Sequence, residues 1–549
     1  MPAAELPELL LVDADDHAPA LSGAATPDAR AMGATSQVLP DHLWSESGLS
    51  NDLVAQRWAV IAPEGPEGDA LIAAIRPLIE ARREQQGAPV REYRVPPRMR
   101  AAEATRWRKQ VFQTSERDQE DLPRYQLILG DLHQVSAELQ MIQATDGFVG
   151  RLAFDHPGDY GAYVDKILAA ERGQAHRAPR AVFHTVHDGT AATTIGHSAL
   201  IEPGVALARE LRALRRTSFP GEVCVSGDLD DPSCDELLRD AAAPASVLFS
   251  LSHGEGAPRR GWRSAVEQRA RQGAMSFGRN GQLAGADLVG AEFLPGGLWF
   301  MLACFGAGTP DTSTYKRWLD ALLAEGQFKG RPEVVLGSLP RAGEAPFIAA
   351  LPKAALASPR GPLGFIGHVD LAWTYAFREL DSGRATNRPQ RFVQTLASAL
   401  RGDRLGVVFR ELFRFFEQTN TELTTLDQDE VADPVRRAHL WMLRNDLAGY
   451  ILLGDPAARL RVADADASPV REAPRVPHRD MLDIFGFGVM PAQVPAEPDL
   501  ATLEAAIGHL LAGTGSLESV ARRHGLDVGM LGEQLARYRR GGRGAIGRG

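Results

Sequence analysis

Apolar positions follow two rhythms between Trp58 and Val462. Short apolar runs closed by Gly, Asp or Pro read as buried strands, and stretches with apolar residues three and four apart read as helices. WAVIA at 58–62 is the first strand. Segment 64–87 then gives a Gly turn and a helix marked by Leu71, Ile75, Leu78 and Ile79. VREYRV at 90–95, a polar helix at 106–119 and PRYQLILGD at 123–131 continue the alternation. Strand, helix, strand, helix, strand with short links predicts a parallel sheet covered by helices.

The pattern persists through GRLAFD at 150–155, a helix at 159–172, RAVFHTVHD at 180–188 and a helix at 201–215. GEVCVSG at 221–227 is a strand, 231–242 a helix, and ASVLFSLSHG at 245–254 another strand. A candidate strand pair follows residue 304, PEVVLGSLP at 332–340 and GPLGFIGHVD at 361–370. Helices fill 390–418 and 432–449, and YILLGDPAARLRV at 450–462 closes the core.

Two runs end on reactive side chains. Residues 247–251 run into Ser252-His253-Gly254, and residues 298–303 run into Cys304, 51 positions beyond His253. The carboxyl ends of parallel strands are where ligands sit, so the two side chains are candidates for one site. At these residues the chain resembles clan CD cysteine peptidases, the caspase-like, CHAT and gingipain-type group. There a strand ends in His-Gly, the next core strand ends in a small residue and Cys, and in caspases the histidine lies about 50 residues before the cysteine. LACFGAG stands here where caspases carry a QAC signature.

PRYQLILGD followed by GRLAFD, and Gly454-Asp455-Pro456, extend the resemblance over residues 55–462. It implies an α/β fold, a caspase/gingipain-like, mostly parallel sheet sandwiched by helices in two α/β subdomains, with a small C-terminal helical module added. The expected segments are a loosely ordered arm at 1–50, an N-terminal subdomain at 51–200, a catalytic domain at 201–462, a Pro- and Asp-rich linker at 463–497 and a helical module at 498–549. In that module 500–511, 516–524 and 528–540 read as helices, and Gly525 would make the turn of a helix-turn-helix-like unit.

Composition narrows the classes. Hydrophobic and charged fractions of 44% and 24% are those of a globular chain, and no apolar run is long enough to span a bilayer. The N-terminus has no Lys or Arg before Arg30, so it lacks a secretory signal's positive start, and a cytoplasmic location is expected. Three cysteines make no disulfide framework, and without CxxC or HExxH no metal is expected. No GxGxxG or Walker A run points to a nucleotide, so no cofactor is expected either. A net charge of −10 argues against DNA as a partner, although the C-terminal module is locally basic; a protein partner fits it better.

A thiol of ordinary pKa is protonated at neutral pH, so a nucleophilic Cys304 needs a base, and His253 fits. Gly254 has no side chain, so its N–H can approach a carbonyl closely and, with the N–H of Cys304, form an oxyanion hole. The resemblance implies the same placement, and with it a cysteine endopeptidase acting on protein or peptide substrates through a thioester. Gly306 and Gly308 would keep the following loop tight. Metacaspases carry an acid two residues before the cysteine, where this chain has Leu302. Asp311 would sit at a pocket rim and attract a basic residue, or cap the next helix. Trp262 and Arg263 would shape or shield the pocket. Cys224, Cys234, His184, His187 and His368 read as structural, with His368 the substitute for His253. The competing class is a catalytically silent scaffold that recruits partners through its C-terminal helices.

Overall fold

The computed structural model describes residues 10–19, 49–113, 122–176, 179–214, 218–227, 233–339, 343–381, 384–428, 433–463, 500–511, 517–524, 526 and 528–541. It divides into two compact units, 1–467 and 468–549.

The first unit is mixed α/β around a ten-stranded sheet flanked by helices. Its strands in chain order begin with a short β1 (Leu11–Val12), outside that sheet, then β2 (Trp58–Pro63), β3 (Arg91–Val95), β4 (Tyr125–Leu129) and β5 (Phe148–Leu152). Next come β6 (Arg180–Thr185), β7 (Glu222–Ser226), β8 (Ser246–Leu251) and β9 (His253–Glu255). The short β10 (Met275–Ser276) and β11 (Gln282–Leu283) precede β12 (Leu298–Leu302). Two small ribbons, β13 (Gly308–Thr309) with β14 (Phe347–Ile348) and β16 (Arg378–Asp381) with β17 (Arg384–Asn387), flank β15 (Gly364–His368) in sequence. The last is β18 (Tyr450–Gly454).

The sheet runs β3-β2-β4-β5-β18-β15-β12-β8-β6-β7. Every neighbouring pair is parallel except β15 with β18, so two parallel halves of five strands meet at one antiparallel seam. The expected boundary at residue 200 does not follow this division: β6 lies in the second half, beside β8, and β18 returns to complete the first. Strands β2, β4, β5, β8, β12, β15 and β18 are buried along their whole length, as strands covered on both faces must be. That is why they read as unbroken apolar runs rather than as alternations.

One expected strand is a helix. PEVVLGSLP contains helix Pro332–Gly337, with proline in its first turn and Val334 and Val335 both buried. Proline's fixed φ suits a helix start and its missing N–H is not needed there, which outweighs two β-branched residues. The helix Ala137–Ala144 was not anticipated; Ser136 caps it by accepting from the Leu139 N–H at 3.3 Å. Residues 10–19 also differ from expectation. They belong to the arm taken as loosely ordered, yet Leu11–Val12 pairs in parallel with β9. Of the rest of that arm and of the linker, residues 1–9, 20–48 and 464–497 lie outside the described residues.

The second unit carries helices Leu500–Leu511, Leu517–His524 and Val528–Gly541, close to the three expected. They share a small core of Leu503, Ala506, Ile507, Val520, Ala521 and Leu531. Gly525 lies outside the described residues. Among the described residues, no helix is long and apolar enough to cross a membrane.

Candidate active site

Strands β8 and β12 lie side by side in parallel with Leu251 opposite Leu302, and the Ser252 N–H donates to the Leu302 carbonyl at 3.2 Å. Two residues further along both chains stand His253 and Cys304. His253 opens β9 and Cys304 follows β12 directly, so this register delivers imidazole and thiol to the same end of the sheet. The approach is close: a Cβ at Gly254 would lie 1.8 Å from the Cys304 carbonyl oxygen, so only glycine fits after the histidine.

After Cys304 the chain turns sharply. Phe305 has φ +57°, a left-handed conformation that is costly for an aromatic residue, and its N–H donates to the Asp370 carbonyl at 2.9 Å. The strain falls on Phe305 rather than on the glycines expected to tighten this loop. Gly308 is needed for a different reason, its close approach to the Phe347 carbonyl in the β13–β14 ribbon.

His253 and Cys304 are both wholly buried. The Nε2 of His253 lies 2.8 Å from Thr190 Oγ1 and 3.7 Å from Asp188 Oδ2. Asp188 is held in turn, its Oδ1 accepting from Thr193 Oγ1 at 2.6 Å and from the Thr190 N–H at 3.0 Å. Burial pushes the imidazole below its ordinary pKa, against the Asp188 charge. On the other strand, Cys304 Sγ accepts the Ala372 N–H at 3.2 Å and faces the Ala372 carbonyl at 3.5 Å. Burial pushes the thiol well above its ordinary value. As placed here the pair is therefore a neutral thiol and a neutral imidazole.

The chain's own N-terminal segment lies against both residues. The Leu10 carbonyl accepts the Gly254 N–H at 3.1 Å and the Cys304 N–H at 3.2 Å. The Leu10 N–H donates to the Ala372 carbonyl at 3.4 Å. The Leu10 backbone also works against both shifts, favouring thiolate at Cys304 and imidazolium at His253. Beyond it, the Gly256 N–H donates to the Val12 carbonyl at 2.8 Å, and Asp13 meets Arg259 and Arg331.

The other candidates are placed as follows. Asp311 lines a cavity of about 350 Å³ with Arg98, Arg100, Glu138 and Asp370, and Cys304 is not among the residues lining it. Trp262 is buried in a small apolar cluster with Ala14 and Ala257, against the segment that follows Leu10, whereas the Arg263 side chain is largely exposed and paired with Glu267. His368 is spent on backbone, Nδ1 facing the Asp370 carbonyl at 2.9 Å and Nε2 the Asp446 carbonyl at 3.0 Å, and burial lowers it to about 4. His184 meets Ser226 Oγ at 3.1 Å and is lowered by burial to about 3. The His187 ring packs edge-on against His197. Cys224 takes a contact from Arg180 at 3.4 Å, and Cys234 opens helix Cys234–Ala241. Among the described residues, no group of three His, Cys, Asp or Glu side chains is placed to hold a metal ion.

Sequence reasoning missed four participants: Asp188, Thr190, Ala372 and Leu10. A signal existed for the first, because Asp188 closes RAVFHTVHD just as His253 closes its strand, and β6 neighbours β8. Ala372 acts through its backbone, which leaves no mark on residue type.

No protein-family model and no curated protein matches the chain. Two solved structures are similar to it. One is the Arg-specific cysteine proteinase gingipain R, at 12% identity over 74% of this chain and 79% of that one, with a TM-score of 0.43. The other is a protease at 11% identity over the same shares, with a TM-score of 0.44.

Proposed function

We propose that the chain is a cysteine endopeptidase in which Cys304 is the nucleophile, His253 the general base and acid, and the N–H groups of Gly254 and Cys304 the oxyanion hole. One observation carries the reading: two N–H groups beside a thiol and an imidazole converge on a single peptide carbonyl oxygen, that of Leu10. Donors fixed in this way stabilise the oxyanion of a tetrahedral intermediate without reorganising.

The steps balance with these groups alone. The imidazole takes the thiol proton as the Sγ–C bond forms, and passes it to the departing amine as the C–N bond breaks. That leaves a thioester on Cys304. Water then adds to the acyl carbon, its proton going to the imidazole, and the C–S bond breaks to give a carboxylate and the regenerated thiol. Thr190, its N–H bonded to Asp188, holds the far nitrogen of His253 with the Asp188 carboxylate 3.7 Å away, so that Nδ1 is the one left for the reacting centre.

The burial of Cys304 is the observation that favours a silent scaffold. The segment at Leu10 occupies the two site N–H groups, however, and its only strand pairing among the described elements is the two-residue one with β9, so it is an element that can leave. A thiol-reactive peptide probe tests the assignment. Labelling lost in Cys304→Ala and reduced in His253→Ala, but retained in Cys224→Ala, is the expected pattern. Equal labelling of wild type and His253→Ala would remove the imidazole from the mechanism and the peptidase reading with it.

A further inference from the structure

Residues 10–16 lie across the candidate site as a peptide about to be cut would lie. The Leu10 carbonyl occupies the two-donor site and its N–H is tied to the Ala372 carbonyl. The chain then continues in parallel with β9, Leu11 opposite Gly254 and Val12 opposite Glu255. The bond placed for attack is therefore the one between Leu10 and Leu11. If the peptidase reading holds, the surroundings of this segment describe the substrate.

The Leu10 side chain is 1% exposed and merges with the main apolar core, to which Ala372 and Trp373 also belong. The two carboxylates whose charge reaches the Cys304 thiol, Asp446 and Asp370, are already engaged. Asp446 accepts the N–H groups of Trp373 and Ala376, each at 2.9 Å. Asp370 accepts Ser313 Oγ at 2.9 Å and the N–H groups of Thr314 and Leu371 at 2.9 and 2.8 Å. Burial raises both, Asp370 to about 6, and these donors already occupy their oxygens, which leaves little room for a substrate cation. Asp311, the other acid near the cysteine in sequence, lines the cavity that Asp370 also lines and Cys304 does not.

On the other side of the bond, Leu11 packs where a Cβ on Gly256 would collide with it, beside Ser338 Oγ. Asp13, the third residue after the bond, is wholly buried, and its carboxylate is enclosed. Its Oδ1 accepts the N–H groups of Asp15 and Asp16 at 2.8 and 3.0 Å, and its Oδ2 meets Arg259 Nε at 3.2 Å and Arg331. Asp16, three residues further on, meets the same two arginines, Arg331 at 3.0 Å. Between them Arg271 donates to the Ala14 carbonyl at 3.1 Å. Two cations converging on one buried carboxylate make a built recognition site rather than a surface contact.

We infer that this peptidase selects an apolar residue of leucine size before the cut and an aspartate three residues after it, the latter read by Arg259 and Arg331, with its own segment at Leu10–Asp16 as the template.

The test uses the full chain carrying Asp13→Ala and Asp16→Ala, so that its own segment is less firmly held, and a free peptide of residues 4–19. The peptide should be cut between Leu10 and Leu11, identified by mass. A Leu10→Arg peptide should lose at least about tenfold in kcat/KM, the discrimination expected of an apolar pocket. An Asp13→Asn peptide should lose a similar factor on this enzyme, and no further factor when Arg331→Ala and Arg259→Ala are added to it. Equal or faster cutting of the Leu10→Arg peptide, or indifference to Asp13→Asn, overturns the specificity while His253-dependent thiol labelling leaves the peptidase reading standing. If no peptide is cut and labelling ignores His253→Ala, both fall together.

Discussion

At Cys304 and His253 the same burial acts in opposite directions on two pKa values, raising the thiol and lowering the imidazole, so both groups are neutral. Asp188 is the counterweight on the imidazole. Replacing it with Asn removes the larger of the two effects that oppose burial, and the His253 pKa falls further. The acid limb of the rate profile, where a protonated imidazole cannot take the thiol proton, should move to lower pH. The plateau rate should drop about tenfold to a hundredfold, part of what general acid–base catalysis supplies. Peptide cleavage against pH, with an NMR titration of His253, reads both effects. Gly254→Ala is the sharper change, since its methyl would meet the Cys304 carbonyl at 1.8 Å and push the N–H out of place. Loss of one oxyanion donor predicts a fall of about 10² to 10³ in kcat, measured on the same peptide. Cys304 and His253 were legible in the sequence because their apolar runs stop at them. Leu10 was not, because a run of four apolar residues in a polar arm carries no local sign of which strand it will join.

Among elements, the long buried strands were the easiest to read and the short ones the hardest. Strands β8, β12, β15 and β18 owe their conformation to burial on both faces, which shows directly as apolar composition. Helix Pro332–Gly337 was misread because six residues are too few to display a helical period, and its proline was the better guide. The Gly454-Asp455-Pro456 turn after β18 has a structural reason that sequence alone did not supply. Asp455 accepts Trp58 Nε1 at 3.0 Å and pairs with the wholly buried Arg82 at 2.7 Å, and Arg82 also meets Glu171 at 2.5 Å. This network ties the start of β2, helix Arg76–Gln86 and helix Pro157–Arg172 to the end of the last strand. Asp455→Ala strands a guanidinium in the core with half its charge partners gone. Such a loss costs about 3–5 kcal/mol. Urea unfolding should show that decrease in stability, while Asp455→Asn, which keeps an acceptor for Trp58, should cost less.

The whole first unit presents one ten-stranded sheet whose second parallel half carries the site at its strand ends, and the N-terminal segment returns across it. Backbone bonds hold that segment over only a few residues, so the ion pairs of Asp13 and Asp16 with Arg259 and Arg331 decide how firmly it stays. The side chains of Arg259 and Asp16 are 50% and 41% exposed, within reach of counterions, whereas Asp13 is sealed. Raising ionic strength shortens the Debye length from about 10 Å at 0.1 M to about 3 Å at 1 M and weakens exposed pairs first. Each release of the segment returns water to Cys304, and its raised thiol pKa falls back toward the ordinary value. Added salt should therefore speed labelling of Cys304 by a neutral reagent such as iodoacetamide, at fixed pH. Asp13→Ala/Asp16→Ala should label faster from the outset and respond less to salt, because the pairs that salt would weaken are gone. Cys224 and Cys234, already half-exposed, serve as internal standards in the same peptide map. If salt leaves Cys304 labelling unchanged in the wild-type chain, charge does not hold the segment, and its backbone pairing with β9 is the stronger tether.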